Sequence, residues 1–403
     1  MATKGKEVTA VLTPTDDKKR VEVKVKQPAL VGEIIEVSWK SGIDTARAKT
    51  KIAAPHWKKG EAAEEDNKPD EQKYSTGSKK PGVYLVKSKK GVDTFTVKVN
   101  ISKSEGQPAE GKLTAKLGNL TFEGKCPTSK GEHEVSVTIK DLPEVLSHYE
   151  ADVAWGLEVG NASFSVANKT RLELFVIFDK PMRFYTEGVW AEALRFVFKN
   201  AKVGGSAKPE DAAKKVTTYC HTGHGMRYDT RMGGPAFFSG DPKSGAGFMS
   251  LRNYIIKKPG QDIVNCYDQA AAVQSLCGAL GVNVEWTYLK PFGYIKTTNL
   301  VGVGSCNNPF FNGNGSTPVV ASDSPKRTAF GNHAFVDYNG KIFDACAGPH
   351  TGTETPRKYL EASIDDARTA KELGILITPP GTLGSYLDAA YLKKYVDKLM
   401  GVD

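Results

Sequence analysis

The sequence predicts a multidomain protein in which two consecutive all-β sandwiches are followed by an α+β domain. Three observations carry that reading. Apolar residues alternate with polar ones at period 2 as far as about residue 178, and from about Tyr185 they recur at helical spacing instead. The chain of 403 residues, 39% hydrophobic and 25% charged, is long enough for two or three separate cores. That balance also excludes a wholly disordered or collagen-like chain.

In the first part, Val21, Val23 and Val25 alternate with charged residues, as do Phe95, Val97, Val99 and Ile101, the signature of a half-buried antiparallel sheet. Between them the stretch from Gly60 to Gly82, rich in Glu, Lys, Asp and Pro, is expected to be a long mobile loop. The polar run Ser102 to Gly111 reads as a linker. Alternation then restarts at Val135, Val137 and Ile139, continues through Val153, Trp155, Leu157 and Val159, and ends with Leu172, Leu174, Val176 and Phe178. Each span holds short strands with turn signals over about 80 to 100 residues, which predicts an immunoglobulin-like sandwich over 1–104 and a second over 105–184.

The third domain, 185–403, opens with Trp190, Leu194 and Phe198 on one helical face, and Pro209 starts a second helix in which Ala212, Ala213, Val216 and Tyr219 share a side. A third helix is expected from Cys266 to about Leu280 and a last one from Ser385 to Met400. Short strands are expected at 283–289 and 333–345.

Lys and Arg number 55 against 46 Asp and Glu, and most of the surplus of nine lies in the first hundred residues, with 21 basic and 14 acidic. Those charges are scattered along alternating strands, which fits a solvated sheet face and argues against nucleic acid as a partner. No stretch approaches the ~20 apolar residues of a membrane helix, and the start lacks the apolar core of a secretory signal. The expected location is therefore the cytoplasm as synthesised, with signal-independent export compatible. Six cysteines with no CxxC pairing suit a reduced compartment.

Asn265-Cys266-Tyr267-Asp268 is the most informative stretch. Asn265 is a good N-cap, Asp268 falls where a carboxylate suits the helix dipole, and the apolar spacing Ala272, Val273, Leu276, Leu280 begins directly afterwards. Cys266 thus lies in a first helical turn, where exposed N–H groups favour thiolate and, with an imidazolium nearby, lower a cysteine pKa from ~8.5 to roughly 3.5–7.5. Cys277 lies about 16 Å further along the same axis and cannot bridge to it.

A thiolate nucleophile needs a base, and the base an orienting acceptor. In the run from His333 to Cys346, Asn339-Gly340 between two apolar segments signals a two-residue hairpin turn. Tyr338 then faces Lys341, Phe335 faces Asp344 and His333 faces Cys346, so His333 and Asp344 are diagonal neighbours on one face, about 7 to 8 Å apart at the backbone. Cys346 is a rival nucleophile, and Asp337 an alternative orienting acid on the same face. Helix N-terminal placement favours Cys266.

This order, a Cys at a helix start ending in Ala279-Leu280-Gly281-Val282, then His-Ala-aromatic on a strand, then Asp on the next, resembles the transglutaminase-like superfamily of papain-like thiol enzymes over about residues 185 to 360. The resemblance implies a catalytic α+β domain in which Cys266 attacks an amide carbonyl, His333 protonates the leaving amine and Asp344 fixes the imidazole tautomer. The segment up to Tyr228-Asp229 looks like the stretch that precedes the nucleophile in that family. It implies a thiol-dependent peptidase or amidase with a protein or peptide substrate and no cofactor. Protein-glutamine deamidation or cross-linking, by a bacterial effector among other settings, is the neighbouring alternative, and a non-catalytic binding or adhesion protein is the alternative of a different class. The β modules would offer a surface to a protein partner.

Other motifs carry less. Cys220-His221-Thr-Gly-His224 matches no zinc spacing and reads as a helix C-terminal cap, so no metal is expected. The Gly, Asn and Ser-rich insert from Pro291 to Gly331 joins the nucleophile's half of the domain to the base's half and is expected to be an active-site flap. Gln261 is a candidate second oxyanion donor, and Cys306 with Cys346 a candidate redox pair.

Overall fold

The computed structural model describes residues 7–12, 21–26, 29–47, 50–61, 80–89, 91–241, 246–290, 292–373, 392–395 and 399–402. The long acidic and basic stretch expected as a loop falls mainly on 62–79, outside the described residues.

Period-2 alternation does build strands, but the expected division at 104/105 falls inside one of them. The strand Thr94–Glu105 buries Phe95, Val97, Val99 and Ile101 and pairs with Ala29–Trp39 on one side and Gly131–Lys140 on the other. The run read as a linker is the end of this strand and the turn into Glu110–Leu117. In place of two sandwiches there is one nine-stranded sheet, ordered Trp57–Lys58, Ala29–Trp39, Thr94–Glu105, Gly131–Lys140, Leu120–Pro127, Glu110–Leu117, Ser147–Val159, Ala162–Ile177 and Gly82–Leu85. The physical reason is that a polar turn and a polar linker have the same composition, and only strand pairing tells them apart. The sheet folds back on itself: Ile34 N donates to Asn168 Oδ1 at 2.8 Å and Asn168 Nδ2 to Ile34 O at 3.0 Å, tying the second strand to the eighth. Trp39, Tyr84, Phe95, Phe122 and Trp155 fill the interior between them.

The helical part begins at Ala191–Lys199 and Pro209–Thr218, where the apolar spacing places them. It is joined to the β part by a buried ion pair. Arg195 Nε donates to Glu173 Oε1 at 3.0 Å and Nη2 to Oε2 at 2.5 Å, both side chains being fully buried. His148 Nε2 meets the same carboxylate at 3.0 Å.

At the centre stands the helix Cys266–Ala279, in which every residue but Tyr267 is buried. It ends at Gly281, whose φ of +74° and contact with the Asp179 backbone leave no room for a Cβ. Against it lies a five-stranded antiparallel sheet ordered His350–Thr351, Lys341–Asp344, His333–Tyr338, Glu285–Leu289 and Leu392–Tyr395. Where residues of the helix expected over 385–400 are described, at 392–395 and from 399, they form strands instead; 385–391 and 396–398 lie outside the described residues. Residues 392–395 pair with 286–289, and Leu399–Val402 pairs with Ala246–Met249. A free sheet edge offers these short segments backbone partners, which outweighs a weak helical periodicity. Among the described residues no helix is long and apolar enough to cross a membrane.

Candidate active site

Asn265 caps the central helix. Its Oδ1 accepts the N–H groups of Tyr267 and Asp268 at 2.9 and 3.1 Å, and Asp268 Oδ2 accepts Asn265 N–H in return at 3.0 Å. Gln269 N–H goes to Asn265 O. A helix leaves its first four N–H groups without intrahelical acceptors, so the one remaining in this turn belongs to Cys266 itself. Asn265 Nδ2 also donates to Gly233 O at 2.9 Å, and Asp268 accepts the N–H groups of Ala236, Phe237 and Phe238. The loop 229–238 is thereby fastened around the start of the Cys266 helix.

The hairpin has the register that Asn339-Gly340 predicts: Val336 pairs with Phe343, Asp337 with Ile342 and Tyr338 with Lys341, with φ of +52° and +72° at the two turn residues. It brings His333 Nε2 to 2.8 Å from Asp344 Oδ2. Both side chains are buried, His333 at 0% exposure and Asp344 at 1%. Burial disfavours both charges, but mutual attraction and the hydrogen bond outweigh it. The His333 pKa is raised above its ordinary value, with the Cys266 thiolate adding to the shift, and that of Asp344 is lowered. The imidazole's other nitrogen, Nδ1, is buried with no hydrogen-bond partner of ordinary geometry.

The other candidates separate clearly. Asp337 Oδ1 caps the turn, accepting Gly340 N–H at 2.9 Å, while His333 bonds Asp344. Cys346 is fully buried, and burial together with the Asp344 charge pushes its thiol well above the usual range, the opposite of activation. Gln261 is exposed, its N–H turned to Lys258 O. His221 Nε2 lies 2.9 Å from Asn299 O and His224 Nε2 2.7 Å from Tyr254 O, so these two imidazoles each meet a backbone carbonyl of a different segment. Among the described residues one group of potential metal ligands, His148 with Glu150 and Glu173, does lie together, but Arg195 and Arg171 already supply its positive charge.

The insert over 292–331 is fastened both within itself and to its neighbours, with Val301 N–H donating to Cys346 O and Gly348 N–H to Asn299 O. It carries a small hairpin, Thr298–Leu300 with Gly304–Cys306, and its ends are clamped where Gly293 and Phe330 exchange backbone hydrogen bonds of 2.8 and 3.0 Å. Buried Arg327 ties it down through Asp365, Ile295 O and Asn307 O. Phe292 and Phe330 pack on the His333 ring at 4.7 and 5.2 Å. Cys266 is left 4% exposed.

Sequence reasoning missed Tyr359. Thr355-Pro356 signals the start of its helix, Pro356–Ser363, but nothing local indicates that its hydroxyl reaches Asp344 Oδ2 at 2.8 Å.

No family model matches the chain, and no curated protein matches it. Among solved structures it is similar to the crystal structure of red sea bream transglutaminase, with 12% identity and a TM-score of 0.39 over 67% of this chain and 51% of that one. The chain thus spans about half the length of that protein.

Proposed function

We propose that this protein is a thiol-dependent peptidase or amidase that cleaves a carboxamide or peptide bond through a thioester on Cys266. The observation that carries the reading is the setting of His333: Nε2 is committed to Asp344, the buried Nδ1 has no other hydrogen-bond partner, and Cys266 is near enough to raise the imidazole pKa. The Cys266 thiolate attacks the carbonyl carbon, and the Cys266 N–H stabilises the oxyanion. The imidazolium gives its Nδ1 proton to the leaving amine as the C–N bond breaks. His333 then takes a proton from water, whose oxygen displaces the thiolate and releases the acid. If a substrate amine enters instead of water, the product is a cross-link. If the carboxamide is that of glutamine and water enters, it is a deamidation.

The test is the rate of iodoacetamide labelling of each cysteine against pH, read by peptide mass spectrometry, in wild type and His333→Ala. The reading expects Cys266 to label fastest near neutral pH and to lose that advantage in the variant. Ordinary reactivity at Cys266, unchanged by the variant, sinks it.

The low exposure of Cys266 and His333, 4% and 0%, favours a second reading in which the fold serves binding without turnover. Under that reading Cys266 stays unlabelled across the pH range in wild type and variant alike.

A further inference from the structure

The geometry points to Tyr359 as the residue that positions Asp344 and sets how firmly His333 holds its proton. The inference rests on the triad reading above.

Asp344 has four donors. Oδ1 accepts the N–H groups of Cys346 at 2.7 Å and Ala347 at 3.2 Å, while Oδ2 accepts His333 Nε2–H and the Tyr359 hydroxyl, each at 2.8 Å. The two backbone bonds fix one oxygen. The other is fixed by the pair of side chains, so the plane of the carboxylate, and with it the imidazole, has no freedom to turn.

Tyr359 is itself immobilised. It is fully buried on the helix Pro356–Ser363, its ring 4.8 Å from Phe335 and edge-on to His350 at 4.7 Å. Burial and the Asp344 charge push its hydroxyl pKa well above the usual range, so it remains a donor. A hydroxyl sharing Oδ2 draws on the same charge that attracts the imidazolium. Without it, the unshared carboxylate would hold the His333 proton more tightly, making His333 a poorer acid toward a leaving amine. A residue that only filled space would have no such effect.

The experiment is the titration of His333 in the full chain labelled with ¹⁵N-histidine, followed by NMR and assigned with His333→Gln. Tyr359→Phe keeps the ring and removes one oxygen. The expected result is an upward shift of the His333 pKa by about one unit, the size of one charge-assisted hydrogen bond partly lost. An unchanged titration with only a lower melting temperature overturns the proposal. Should that variant not fold, 3-fluorotyrosine placed at position 359 alone gives a stronger donor of nearly the same shape. The His333 pKa should then fall, and no movement overturns the inference.

Cys266→Ala separates this proposal from the triad reading. If the His333 pKa does not drop when the thiol is removed, the Cys–His pair fails, while the comparison at Tyr359 still decides the role of Tyr359.

Discussion

The ring of Phe330 lies flat over the imidazole of His333, centroids 5.2 Å apart and planes within 16°. Phe330 also closes the neck of the 292–331 insert by exchanging backbone hydrogen bonds with Gly293. The same residue therefore packs on the imidazole and closes the neck of the insert, beside a Cys266 that is left 4% exposed.

Whether the insert limits access to Cys266 can be tested at Asn312. Asn312 Nδ2 donates to Thr230 Oγ1 at 2.5 Å, latching the insert to the loop that frames the Cys266 helix. Asn312→Ala should raise the native alkylation rate of Cys266 several-fold without raising that of Cys277, buried in the same helix. Equal rates in wild type and variant would show that the latch does not limit access.

The pH dependence of stability follows from the two shifts. Asp344 has a lowered pKa, so its contribution is complete above the unfolded value of ~4 and disappears as pH falls through the folded value. His333 has a raised pKa, so its contribution is complete below ~6.5 and disappears as pH rises through the folded value. The melting-temperature gap between wild type and Asp344→Asn should be widest between about pH 4 and 6.5 and narrow on the alkaline side. A gap that widens steadily toward alkaline pH contradicts the ion pair.

Asn265→Ala removes two cap bonds and the link to Gly233. The expected cost is about 1–2 kcal/mol in urea unfolding, together with slower Cys266 labelling near neutral pH, because the first turn frays. Loss of stability with the labelling profile unchanged would mean that the cap does not tune the thiol.

The pair between Arg195 and Glu173 joins strand to helix with both side chains at zero exposure. Arg195→Met leaves a buried carboxylate without its cation and should cost about 3–5 kcal/mol, whereas Arg195→Met with Glu173→Leu should recover much of that. Denaturant unfolding of the three proteins decides it, and a double variant as unstable as the single one would place the cost in packing.

The sequence by itself determined the local pieces. Asn265 and Asp268 fix where the central helix starts, Asn339-Gly340 fixes the register that sets His333 beside Asp344, and period-2 alternation marks the long strands, since each depends on neighbours a few residues apart. Only the tertiary structure decided that strands on both sides of residue 104 share one sheet, that 392–395 is a strand, and that Phe330 and Tyr359 close around His333 and Asp344. Those outcomes depend on which distant backbone edges and side chains meet. Turn composition, periodicity and capping carry no record of such meetings.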